Sequence, residues 1–160
     1  MATQVAGAGD FIRPYRGPVR LRTFPEGASQ SFKKGYLLKF GADAGAENRV
    51  IVVAADPTLV VGVAAQDASG TTDNPVSVWL AEAGVEFRVR YADSQAIDQT
   101  DIADAGFGMV ADGTNLIHRL DNTETSAKVF HVTELLDADG DVNGAVAATI
   151  LAAVRAPFAE

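Results

Sequence analysis

Three aspartates, Asp137, Asp139 and Asp141, stand two residues apart in one polar stretch, the spacing with which a calcium loop opens. Such a loop also needs Gly at its sixth place for a sharp turn and Glu at its twelfth as a bidentate ligand. Counted from Asp137, those places hold Val142 and Ala148. The run is therefore expected to be an acidic hairpin turn rather than an ion site. The two histidines, His118 and His131, each lie within an apolar run. Imidazole joins metal sites through spacing with other ligands, and here no spacing constrains it. Both are read as partly buried strand residues.

Nucleophilic and phosphate-binding chemistry lacks its framework as well. Ser69-Gly70 lies in a polar loop with no G-x-S-x-G turn between a strand and a helix. Gly7-Ala-Gly9 lacks both the Lys-Ser/Thr ending and the helix that a phosphate loop requires. Trp79 and Tyr91 could stack on a sugar, with carboxylates nearby, but a lone Trp in a strand belongs more often to a core or an interface. The expectation is a protein that is not an enzyme and carries no cofactor or metal.

These residues would be positioned by short β-branched runs separated by Gly, Asp, Asn and Pro. Strand candidates are Gly35–Phe40, Arg49–Ala54, Leu59–Ala64, Val76–Leu80, Val85–Tyr91, Phe107–Val110, Leu116–Leu120 and Val129–Leu136. Val85, Phe87, Val89 and Tyr91 alternate with Glu86, Arg88 and Arg90, the pattern of a half-buried strand. Gly62 inside its run points to a bulge or a close backbone approach. Asp112-Gly113 marks a hairpin turn, and residues 93–104 read as a loop or one helical turn. The last run, Ala145–Val154, fits a helix by its alanines but is assigned to a strand by its place after the turn at 137–144. Strands at such short intervals indicate an all-β antiparallel sandwich or barrel.

The first section differs in kind. Residues 1–10 are small and Gly/Ala-rich, and residues 11–25 contain Pro14, Pro18 and Pro25. Prolines exclude a helix interior and a central strand, leaving an extended or edge segment. The expected division is a flexible arm over residues 1–17 and one β-domain over residues 18–160. Of thirteen basic residues, seven fall within residues 1–40 against two acids, so the remaining 120 residues carry six bases and nineteen acids, a net charge of −13. An acidic body repels nucleic acid phosphates, so no direct nucleic acid partner is expected. No run is long and apolar enough for a membrane helix, and no secretory signal is expected in residues 1–10, which lack a basic region followed by an apolar stretch. A soluble product made in a cytoplasm is expected, and the absence of cysteine excludes disulfides.

The order Gly35-Tyr-Leu-Leu, Asp56 to Ala64 (DPTLVVGVA) and Val76 to Val89 with a turn at Gly84 resembles the capsid decoration (cement) proteins of tailed bacteriophages. Gly106 to Val110, Asp112-Gly113, Leu116 to Leu120 and Val129 to Leu136 extend the likeness over roughly residues 18–155. A proline-rich start and a lengthened acidic turn at 137–144 depart from it. The resemblance implies a compact β-barrel or β-tulip-like domain that forms a homotrimer on the outer surface of the virion. There it would clamp neighbouring subunits of the major capsid protein. It further implies that Arg13, Arg16, Arg20 and Arg22 meet an acidic capsid surface, with Phe11 and Tyr15 as apolar anchors. The alternative is a non-viral β-sandwich module that binds a carbohydrate or protein ligand.

Overall fold

The computed structural model describes residues 11–41, 48–53, 57–112 and 117–156. Its strands are β1 (Arg13–Arg16), β2 (Leu21–Pro25), β3 (Leu37–Phe40), β4 (Val50–Val52), β5 (Gly62–Ala64) and β6 (Pro75–Leu80). They continue as β7 (Glu86–Arg90), β8 (Gly108–Asp112), β9 (Ile117–Asp121), β10 (Phe130–Leu135) and β11 (Ala145–Ile150). Two short 3-10 turns, Gln99–Ala103 and Ala152–Val154, are the helical elements among the described residues. Residues 1–10, expected as flexible arm, together with 42–47, 54–56, 157–160 and 113–116, where part of the expected Asp112-Gly113 turn falls, lie outside the described residues.

The strands form a four-stranded sheet in the order β1-β7-β11-β10, a five-stranded sheet in the order β2-β6-β5-β3-β4, and the β8–β9 hairpin. All ladders are antiparallel, and the sheets pack as a sandwich rather than closing into a barrel. The all-β reading therefore holds in its sandwich form. One partial closure exists: the margins of the five-stranded sheet touch at a single bridge, Glu26 with Val50.

Period-2 alternation, broken once at Gly62 between Val61 and Val63, divides the buried residues between two cores. On β6, Val76, Val78 and Leu80 enter a core on one face of the five-stranded sheet with Phe24, Phe32, Leu38 and Val61. Leu37, Val60 and Val63 turn to the opposite face. There they meet Val85, Phe87, Val89, Val146, Ala148 and Ile150 of the four-stranded sheet, along with Phe107, Met109 and Leu120. β11 is buried along nearly its whole length, which explains its alanines. As a central strand it has Arg88 opposite Ala147 and Arg90 opposite Ala145, so small side chains leave space for the long neighbours.

Residues 11–17, expected as the end of a free arm, are built into the sandwich. β1 pairs with β7, placing Pro14 opposite Phe87, and Ile12 is 1% exposed in the inter-sheet core. An arm boundary at residue 17 would assign the whole of β1 to the arm, although the strand is paired with β7. The prolines act as expected otherwise, since β1 and β2 are both marginal strands of their sheets.

Candidate binding surface

The two marginal strands lie on one flank because the chain crosses between sheets twice at the same place. β1 leads into β2 through Gly17 to Arg20, and β6 leads into β7 through the turn at Gly84. A Cβ on Gly17 would stand 2.0 Å from the Gly84 carbonyl oxygen, and Gly17 has φ +102°. Only glycine allows both that backbone and that approach. The crossings therefore run in contact, and β1 and β2 end their sheets side by side.

All six residues expected to contact a partner lie on or next to β1 and β2, but they do not perform equivalent work. The Arg16 guanidinium bonds to both Glu86 carboxylate oxygens and to Glu134 Oε2 at 2.9 Å, while the Thr133 hydroxyl also donates to Glu86. This network links β1, β7 and β10. The Arg16 hydrogen bond holds the Glu86 carboxyl below the ordinary carboxylate range. Arg20 donates from Nε to both oxygens of Glu82, at 2.8 and 3.1 Å. Both arginines therefore have an internal carboxylate.

Arg22 is placed differently. Its guanidinium lies 5.3 Å from the Phe24 ring centroid, and it makes no salt bridge among the described residues. Next to it Leu21 is 61% exposed, and Tyr15 on β1 is 42% exposed. Arg13 lies 5.9 Å from the Phe11 ring centroid. The Lys34 ammonium sits between two rings, 4.9 Å from the centroid of Phe11 and 5.6 Å from that of Trp79. Leu21 stands directly opposite Trp79 in the β2–β6 ladder. The flank thus combines exposed apolar side chains with cations resting on aromatic faces.

The other chemical candidates are absorbed into the structure. Trp79 packs against the inter-sheet core. Tyr91 is fully buried, so it offers no face for stacking on a sugar. Its hydroxyl donates to Asp101 Oδ2 at 2.6 Å, and burial, reinforced by that carboxylate, raises its pKa. His118 lies buried in β9 and half-buried His131 lies in β10, with Nδ1 3.1 Å from the Asp104 carbonyl oxygen. The three spaced aspartates face separate backbone donors. Asp137 accepts from Ala145, Asp139 from Gln99 and Asp141 from Ala138. Among the described residues, no three His, Cys, Asp or Glu side chains gather as a metal site requires.

Two features escaped sequence reasoning. Glu26 is fully buried and accepts from Ser69 N–H at 2.8 Å, Ser69 Oγ–H at 2.8 Å and Gly70 N–H at 2.7 Å. This gives Ser69 a structural partner and ties the loop 66–74 to the end of β2. Arg119, with 4% of its side chain exposed, pairs with Asp93, whose carboxylate also accepts from Asn143 at 2.9 Å. A Glu beside one proline and an Arg beside one histidine give no periodic signal of burial.

The fold and flank define an all-β sandwich with a basic, partly apolar edge. The chain matches no protein-family profile and no curated protein.

Proposed function

We propose that this chain is a structural virion protein that binds the outer surface of a tailed-phage capsid. It would act as a homotrimer and clamp neighbouring major capsid subunits. The observation that carries the reading is the gathering of Arg13, Tyr15, Arg22 and Leu21 on one flank by two adjoining marginal strands. A basic edge on an otherwise acidic body orients the molecule toward an acidic surface and repels it from the opposite pose. Three copies in one assembly raise the effective concentration of each flank at the capsid.

The test is co-sedimentation with expanded heads of the phage whose genome encodes the chain, alongside light scattering of the free protein. Expected are a trimer, saturable binding, and at least a tenfold loss of affinity in Arg22→Glu with its thermal midpoint unchanged. Absence of binding by the unaltered protein, or equal binding by Arg22→Glu, would refute the assignment of this surface to the capsid.

A further inference from the structure

The main chain of β2 presents an open hydrogen-bonding edge with a definite register. The Leu80 N–H donates to the Arg20 carbonyl at 2.9 Å, and the Glu26 N–H donates to the Asn74 carbonyl at 2.8 Å. In an antiparallel ladder successive residues direct their main-chain groups to alternate sides. Arg20, Arg22, Phe24 and Glu26 therefore address β6 and the turn before it. Leu21 and Thr23 direct N–H and C=O outward, where β2 has no neighbouring strand among the described residues. Leu21, Arg22 and Thr23 are all exposed. Pro25, the next outward position, has no N–H, and the Gly17-Pro18 crossing closes the other end. The edge is therefore two residues long in hydrogen-bonding terms, too short to template open-ended pairing.

The side chains around it specify what would fit. Arg22 stands on one face of the edge, over Phe24. On the other face Leu21 lies opposite Trp79, whose ring bears the Lys34 ammonium. We infer that β2 accepts an extended acidic segment of a partner protein as an added antiparallel strand. In this pairing Leu21 and Thr23 supply the main-chain bonds, an acidic residue stands opposite Arg22, and an apolar residue stands opposite Leu21. A second copy of β2 is disfavoured, because antiparallel self-pairing brings Arg22 close to its own counterpart and like charges across a ladder repel. The inference goes beyond the capsid reading, and its test does not depend on a capsid.

The full chain labelled with 15N is titrated with a synthetic probe, acetyl-Thr-Glu-Val-Glu-Val-Thr-amide, while amide hydrogen exchange is followed residue by residue. Saturation should slow exchange at Leu21 and Thr23 at least tenfold and leave β4 unchanged. Thr23→Pro should abolish the protection, since it removes an outward N–H and no bond to β6, whereas Thr23→Val should retain it. The same peptide with Lys in place of Glu should give no protection. Should Thr23→Pro fail to fold, a probe N-methylated on the amides facing β2 should fail on the unaltered protein. Absence of protection at Leu21 and Thr23, undiminished binding by Thr23→Pro or by the methylated probe, or equal binding of the Lys peptide would each overturn the inference. Concentration-dependent protection of the same amides without peptide would place a second copy there and would overturn it equally.

Discussion

The Leu37 backbone N–H donates to Nδ1 of His118 at 3.0 Å, and the imidazole lies stacked on Tyr36 with ring centroids 4.3 Å apart. This pair fastens the β8–β9 hairpin to β3 across the sandwich. Accepting that bond requires an unprotonated Nδ1, and burial pushes the His118 pKa down to about 4. The folded state thus binds fewer protons than the unfolded state between pH 4 and the ordinary histidine value of about 6.5. The stabilisation is complete above that value and is lost as pH falls through the window, by on the order of 3 kcal/mol in total. Urea unfolding at a series of pH values should show the decline, and His118→Gln should flatten it. An equal slope in the variant would remove His118 as the cause.

Acid should act again at lower pH through the paired carboxylates. The Arg16 hydrogen bond lowers Glu86, and the Arg49 hydrogen bond lowers Asp73. Their contribution is present above the ordinary carboxylate range and declines as pH falls below it. Stability against pH should therefore fall in two stages, and only the lower one should survive in His118→Gln. The carboxylate stage should also weaken in high salt, because Arg16 and Asp73 are largely exposed. A lower stage indifferent to salt would contradict this origin.

Glycines in the same φ range should tolerate alanine very differently. At Gly70, φ is +80° and the nearest atom to an added Cβ is 3.8 Å away, whereas at Gly17 the Gly84 carbonyl stands at 2.0 Å. Gly70→Ala should cost about 1 kcal/mol from backbone conformation alone. Gly17→Ala must also part the two crossings, and should cost about 2–4 kcal/mol. Thermal melts of the two variants side by side decide the matter, and equal midpoints would show that the crossings are not tightly packed.

Removing the Glu26 charge should loosen one loop rather than the whole sandwich. Glu26→Gln turns an amide group toward donors that need acceptors, at a cost of about 1–3 kcal/mol. Limited proteolysis should then cut within residues 66–74 faster than in the unaltered chain. Ser69→Ala should be milder, since the two backbone donors remain. Cleavage rates indistinguishable from those of the unaltered protein would dismiss the tether.

Truncation of residues 2–17 should destabilise the fold, because it removes β1 and the buried Ile12. A truncation carrying a full-strength melting transition would show that the β1–β7 ladder contributes nothing.

Much of the fold was legible in the sequence because short strands reveal themselves through alternation and turn residues. Val85 to Tyr91 folded as read, and Gly62 proved to be a close approach, with its missing Cβ 2.0 Å from the Trp79 carbonyl oxygen. The run from Ala145 became a strand only as far as Ile150 before a 3-10 turn, because alanine patterns distinguish poorly between a strand buried on both faces and a helix. The residues expected to contact a partner fall on or beside β1 and β2. Arg16 and Arg20 looked identical to Arg22 by residue type, yet each meets an acid some sixty or more positions away. Such pairings follow from sheet order, which local pattern does not encode. For the same reason Ile12 read as part of an arm, although its partners come from the later strands.

The paired crossings at Gly17 and Gly84 also determine how the molecule carries mechanical load. A pull transmitted along β1 or β2 reaches the ladders with β7 and β6 parallel to the strands, so their hydrogen bonds resist together in shear. The same pull applied across the strands would open those bonds one after another, like a zip. With one marginal strand from each sheet meeting at the flank, tension there divides between both sheets at once, and neither has to peel before the other bears weight.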